Sequence, residues 1–546
     1  MFASLDGPRV FPMGSPPADV VEVADLRGAS SDEKLAATVL QGLVNRGERA
    51  AVYLLLADWD VMWLDGLRAS GQVRETVPCT LAALFQNHAP AYGKLILYDP
   101  SVPASISVAA MLASLEGGVV LCEQTRALAA PGKETIDLRG RWRTNVEAYR
   151  WAFDELWPRL DHQLLASYHP TACAHHLRDY LVRNRVFHLW VSGEEHGGGP
   201  DGREGEITLL RTVLEAAPAN IPVLGFWGSG VDPGLGEYAG VGLAGEYGKF
   251  TVVSDWSSNL SFLSGAQADL DSAIRQYQDR VNCEPPDLEP GAVYVCYDVV
   301  ESGDAPCYLQ SRQWGVWQDA RRGAIPVNWS MGPAILELAP CIAMHYYTEA
   351  TRNDYIYMAI SGADYCHPYR DFMSRTDDAA EAWCGYLDMT RRYLRQMRCR
   401  ELGLYTDAWR AYERGKQETV TLRFLEAIPT LELVVLGMGR DDGVSADQAN
   451  YWLGPQRAVV SHVMTRWPAN YAEKTREENI AWLADDIRAY TPVSRPGFVH
   501  VMALSWAYGP SEIEEVHHRL GPVYRALTLP QFVRLYRRTA AEMGRQ

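Results

Sequence analysis

Carboxylates recur just past the ends of short apolar runs along the second half of the chain. Asp255 follows Thr251-Val252-Val253-Ser254, Asp304 follows Val300-Glu301-Ser302-Gly303, and Asp364 follows Ile360-Ser361-Gly362-Ala363. Asp407 follows Leu404-Tyr405-Thr406, and Asp441 and Asp442 follow Gly437-Met438-Gly439-Arg440. If these runs are strands of a closed parallel barrel, all of their loops emerge at one mouth and acids distant in sequence converge. Ser330, His462 and Trp506, at neighbouring run ends, would join them. Such a mouth suits glycosidic bond chemistry. One carboxyl, held protonated, donates to the leaving oxygen, while a second, ionised, attacks the anomeric carbon or activates water. Aromatic faces stack on sugar rings, and the chain holds 17 Trp and 28 Tyr. The plainer role for any one Asp at a strand end is to cap a helix or close a turn, so convergence carries the expectation.

The elements that must position these groups are ten apolar runs, at 187–191, 223–227, 250–253, 293–300, 325–329, 355–360, 402–405, 431–436, 459–463 and 498–506. Helix-like stretches separate most of them, the pattern of repeated strand-helix units, about eight of which close a barrel. Ten is too many, which assigns the first one or two to an amino-terminal domain or its connection. In that domain Ser30 and Glu33 form a capping box for a helix in which Leu35, Val39 and Leu43 recur, ending near Asn45 and Gly47. The runs at 51–56, 95–98 and 119–121, with a helix around Met111, read as buried parallel strands and their cover. The expected fold is α/β: an amino-terminal parallel-sheet domain with its connection over residues 1–235, then a TIM-like (β/α) barrel over 236–546. The stretch Gly197 to Gly202 reads as a flexible loop, since Glu194, Glu195, Asp201 and Glu204 surround it and disfavour phosphate.

Composition narrows the partners. The 546 residues are 47% hydrophobic and 22% charged, which fits a globular chain. An excess of 68 acidic over 51 basic residues, a net charge of -17, argues against holding nucleic acid or an anionic membrane. A neutral or cationic small molecule fits better. No apolar run approaches the roughly 18 residues that span a bilayer, and the opening residues carry no leader pattern, so a cytoplasmic setting is expected. Ten scattered cysteines without a C-x-x-C pair exclude a zinc ribbon or dithiol site. His169, Cys173, His175 and His176 match no zinc spacing and precede the barrel strands, so no metal is expected. Gly437-Met438-Gly439 lacks the third glycine of a dinucleotide fingerprint, and neither G-x-S-x-G nor H-E-x-x-H occurs, so no cofactor is expected either. The sequence leaves the oligomeric state open.

One segment carries a resemblance. Ser361-Gly362-Ala363-Asp364-Tyr365-Cys366-His367-Pro368, preceded by Arg322 to Ser330, resembles the signature region of the GxGYxYP family, whose assigned activity is of glycoside hydrolase type. Leu40 to Arg46 is similar to that family's amino-terminal domain. Gly248 to Trp256 with Asn259-Leu260-Ser261 is similar to the start of its carboxy-terminal domain. The resemblance implies an amino-terminal α/β domain followed by a barrel-like catalytic domain. In the name motif Gly362, Tyr365 and Pro368 match, while Asp364 replaces the second Gly and His367 the second Tyr. After Val300 the family pattern is S-D-G-D-N, where this chain reads Glu301-Ser302-Gly303-Asp304-Ala305, one acid and one amide fewer.

Within that reading Asp304 is the first catalytic candidate, as ionised nucleophile or base or as a ligand of substrate hydroxyls. Asp364 is the candidate acid, and Glu301 and Asp442 are further carboxylates of the mouth. Tyr365, His367, Asp255, Asn259, Trp329 and His462 form the expected substrate-binding set. Gly362 would allow a close backbone approach or an unusual dihedral, and Pro368 would fix the loop exit. The expected partner is a small-molecule glycoside. Two alternatives stay open: a repurposed barrel doing acid/base chemistry on a non-carbohydrate metabolite, and a sugar-binding protein without turnover.

Overall fold

A strand that is apolar on both sides must be covered on both, which parallel sheets flanked by helices achieve. In the computed structural model, residues 8–173, 175–193, 202–300, 305–406, 414–437, 444–464 and 472–542 are described, and each of the ten apolar runs overlaps a strand. Four sheets follow one another along the chain. The first holds β1 (Pro17–Asp25), β2 (Ala50–Leu55) and β3 (Glu75–Cys79) in the order β2-β1-β3. The second holds β4 (Lys94–Leu97), β5 (Gly118–Leu121) and β6 (Glu134–Asp137) in the order β5-β4-β6. The third holds β7 (Asp161–Ser167), β8 (Val186–Leu189), β9 (Pro222–Gly225) and β10 (Phe250–Val253) in the order β10-β9-β7-β8. All pairs in these three sheets are parallel.

The large sheet is built from β11 (Val293–Val300), β12 (Val327–Met331), β13 (Asp354–Met358), β14 (Glu401–Leu404), β15 (Leu433–Leu436), β16 (Asn450–Leu453), β17 (Ala458–His462), β18 (Gly497–Leu504) and β19 (Tyr524–Ala526). Its order is β16-β17-β15-β14-β13-β12-β11-β18, with β19 beside β11. The sheet curls until its two ends meet. Met464 donates from its amide to His500 O at 2.8 Å and accepts from Met502 N at 3.2 Å, while Asn450 Nδ2 on β16 donates to Phe498 O at 3.1 Å. Among the described residues the path around the curl has seven parallel strands, β11 to β15, β17 and β18, and the antiparallel β16. Three of the ten runs, not one or two, belong to the third sheet, because β10 continues it by pairing Phe250 to Val253 with Pro222 to Gly225. Among the described residues no helix is long and apolar enough to cross a membrane.

Polar side chains tie strands together inside the curl. His500 Nε2 lies 2.7 Å from Asp298 Oδ2, which also accepts from Tyr357 Oη at 2.9 Å. Ser461 Oγ lies 3.1 Å from His500 Nδ1 and donates to Asn450 Oδ1 at 2.7 Å. Five strands, β11, β13, β16, β17 and β18, thus share one buried polar network.

The helix Ser31–Val44 starts at the expected capping box. Ser30 Oγ accepts from Glu33 N, and the Glu33 carboxylate accepts from Ser30 N at 2.9 Å. Its Gln41 and the Asn45 that caps it share a face and serve the outer, buried edge of β2, a strand that would otherwise leave backbone groups unpaired. Asn45 Nδ2 donates to Val52 O at 2.9 Å, and its Oδ1 accepts from the Ala51 and Val52 amides at 3.0 and 3.1 Å. Asn259 completes that edge. Its Oδ1 accepts from Gln41 Nε2 at 2.7 Å and Leu54 N at 2.9 Å, and its Nδ2 donates to Leu54 O at 2.8 Å and Asp60 Oδ1 at 3.2 Å. All four valences of the side-chain amide are taken. The residue expected to bind substrate is instead a strand-like clasp between the first and third sheets.

Replacing Asn259 with Ala would strand the Leu54 amide and carbonyl in a buried edge. The expected loss is roughly 3 to 5 kcal/mol of stability, read as a lower denaturation midpoint in urea. An unchanged midpoint would mean that the clasp contributes nothing.

Candidate active site

Parallel strands end at one edge, so the loops that follow them share a rim. β11 and β13 flank β12 in register, with Val299 opposite Trp329 and Trp329 opposite Ile356, which brings the ends of the strands preceding Asp304 and Asp364 to the same edge. Asp304 itself, with Glu301, Asp407, Asp441 and Asp442, lies outside the described residues.

The loop after β13 is locked in place. Ser361 adopts φ +69°, donates from its amide to Gly403 O at 2.7 Å, and accepts at Oγ from Tyr405 N at 3.0 Å. Tyr386 Oη donates to Ser361 O at 2.6 Å and to Asp364 O at 3.0 Å. Gly362 has φ +110°, and a Cβ there would come within 2.7 Å of Thr390 Oγ1. Both dihedral and space therefore demand glycine, as the sequence suggested. Asp364 is fully buried, and its Oδ1 accepts from the Tyr365 amide at 3.0 Å, so it is no solvated turn residue.

Tyr365 joins this loop to the third sheet. Its backbone forms an antiparallel bridge with Thr251, with Thr251 N to Tyr365 O at 2.8 Å and Tyr365 N to Thr251 O at 3.1 Å. Its hydroxyl donates to Glu237 Oε1 at 2.8 Å, from the helix Glu237–Glu246. His367 lies between two tyrosine rings, 4.8 Å from Tyr238 and stacked at 4.9 Å on Tyr405. The Arg370 guanidinium sits 4.6 Å over the Tyr238 ring.

Asp255 stands four residues past Thr251 on the same strand direction, within roughly 13 Å of the bridge. Its loop is pinned to the chain that follows β11: Gln310 Oε1 accepts from Ser258 N at 2.9 Å and Gln310 Nε2 donates to Ser258 O at 2.8 Å. Only 5% of Asp255 is exposed, and burial pushes its pKa up to about 7. A carboxyl that keeps its proton near neutrality can donate one.

Asp364, Tyr365 and His367 are thus drawn to one junction, and Asp255 lies further along the strand that Tyr365 bridges. Three other candidates lie elsewhere. Asn259 is the clasp described above. Trp329 packs at 5.1 Å against Trp317 of a covering helix and donates from Nε1 to Asp354 Oδ1 at 3.1 Å, a core position. His462 alternates with the inward Ser461 and has Tyr451 of β16 6.0 Å away. Sequence reasoning missed Glu237, Tyr238 and Arg370, which carry no local signal. Tyr405, one position past the end of β14, could have been found from its place at a strand end. Among the described residues no cluster of three or more His, Cys, Asp and Glu is arranged to hold a metal.

Comparison with known proteins follows this geometry. Residues 20–88 match "GxGYxYP_N 1st domain", 94–160 match "GxGYxYP_N second domain" and 162–265 match "GxGYxYP third domain". Residues 291–537 match "GxGYxYP putative glycoside hydrolase C-terminal domain". The crystal structure of "a putative hydrolase from Bacteroides thetaiotaomicron VPI-5482" superposes with a TM-score of 0.79 at 18% identity, covering 98% of this chain and 99% of that one. This likeness shows a common fold over the whole length. Comparison with curated proteins gives no match.

Asp255 yields a pH prediction. The folded chain keeps its proton up to about pH 7, whereas the unfolded chain releases it near 3.8. Between those values the native state binds the extra proton, so stability falls as pH rises through that window. Asp255→Asn removes this dependence and should stabilise the protein at pH 8 by at most about 4 kcal/mol, with little change at pH 4. Thermal denaturation of both proteins at the two pH values checks it, and an equal shift at both would contradict it.

Proposed function

The chain belongs to the GxGYxYP family, and on that premise we propose that it is an enzyme of glycoside hydrolase type acting on a small, neutral glycoside. The observation that carries this reading is the junction at the rim. There Asp364 sits buried in a loop locked by Ser361 and Gly362, with only β12 between its strand and the one that leads to Asp304. In this reading Asp304 is the ionised nucleophile or base and Asp364 the acid. Glu301 and Asp442 add negative charge that keeps the acid protonated. Asp255, protonated near neutrality, hydrogen-bonds a sugar hydroxyl or hands its proton on. The rings of Tyr238 and Tyr405 hold His367 between them and fix the orientation of its imidazole.

The large curled sheet is read as a TIM-like barrel with seven parallel strands, its boundary falling between 265 and 293, after the third sheet is complete. Ten cysteines, all free, fit a reducing, cytoplasmic compartment.

Hydrolysis of a panel of chromogenic glycosides tests the proposal. Asp304→Asn and Asp364→Asn should each lower kcat at least about 100-fold while leaving the thermal midpoint nearly unchanged. Unaltered kinetics in either variant would remove that residue from the mechanism. Calorimetric sugar binding without any product would favour the non-enzymatic reading.

A further inference from the structure

Two of the small sheets reverse direction beside the same space. In the order β5-β4-β6 the chain goes from β4 to β5 and then back across β4 to β6; in β10-β9-β7-β8 it goes from β7 to β8 and back across β7 to β9. At such reversals the loops leaving the carboxyl ends of adjacent strands diverge and open a crevice, the general ligand position in open α/β sheets. Here both crevices open on one cavity of about 370 Å³. One wall is the pair of turns after β4 and β6, residues 101–103 and 143–145; the other holds His169, Trp190, Ser192 and Asp232, from the loops after β7, β8 and β9.

The walls have complementary chemistry. Asp232 accepts from Gly193 N at 2.8 Å, Gly234 N at 2.9 Å and Trp190 Nε1 at 3.0 Å. Burial alone would raise its pKa, but these donors outweigh burial and hold it below the usual carboxylate value. His169 accepts at Nδ1 from Ala172 N at 2.9 Å, which leaves its proton on Nε2, 3.8 Å from Asp232 Oδ2. Across the cavity stand Arg143 and the amino-terminal ends of the helices Ala104–Glu116 and Asn145–Glu155. Tyr149, 1% exposed, lines the cavity, with its hydroxyl beside Ser107 Oγ and the Trp190 backbone. One arginine faces one carboxylate, so the lining has no net charge. The Asp232 carboxylate with the Trp190 indole beside it on one wall, and Arg143 with two helix ends on the other, match a ring bearing hydroxyl groups.

We propose that this cavity is a second small-molecule site, built for a single neutral sugar ring and separate from the carboxylate rim of the curled sheet. The assignment does not depend on hydrolysis at that rim.

Titration calorimetry of the full chain with D-glucose, D-galactose, D-mannose and their methyl glycosides tests it, using three variants. Val231→Trp places an indole at the mouth, where Val231 is 65% exposed, without removing a hydrogen bond. Tyr149→Phe removes only the buried hydroxyl, and Asp364→Asn alters the other site. At least one sugar should bind at millimolar concentration or below. Val231→Trp should abolish that binding, Tyr149→Phe should weaken it about 3- to 10-fold, and Asp364→Asn should leave it intact. Absence of binding across the panel, binding indifferent to Val231→Trp, or binding lost in Asp364→Asn would each overturn the proposal.

Discussion

Two backbone hydrogen bonds between Thr251 and Tyr365 hold the molecule's halves in register. β10 is the edge of the third sheet, and an unpaired edge is a liability. The loop after β13 covers it. Trp227 Nε1 donates to Thr251 Oγ1 at 2.9 Å, and Tyr365 Oη donates to Glu237, so side chains at both bridged residues brace it. Asp255, four residues past Thr251, ends in a dry place near Cys173, and its reluctance to ionise follows from burial rather than from any charged neighbour.

Much of the fold was legible from pattern alone. A buried parallel strand must be apolar throughout, so all ten runs stood out, and the Ser30 and Glu33 box fixed a helix start. What a run cannot reveal is its neighbour. Thr251 to Val253 reads the same whether it pairs in a barrel or in a separate sheet, and that ambiguity carried β10 to the wrong side of the division. β16, with its half-buried Asn-Tyr-Trp-Leu, lacks a run altogether and went unseen.

At the site, the locked loop was legible because Gly362 and Tyr365 do things other residues cannot. Trp329 and Asn259 misled because position near a strand end does not fix the direction of a side chain. One residue of parity turns Trp329 onto Trp317, and an amide is as well suited to an edge strand as to a sugar. The fold is shared across 98% of the chain at 18% identity, so the architecture survives wide change in sequence while function must be argued from the site.

The separation of the Asp304 and Asp364 carboxyl groups, measured in a crystal of the protein soaked with a non-hydrolysable glycoside, bears most directly on the proposed chemistry. Both groups should face one sugar-filled cavity, about 5 to 9.5 Å apart, the lower end implying retention and the upper inversion. Carboxyl groups opening onto different cavities, or sugar bound with neither of them in reach, would contradict it.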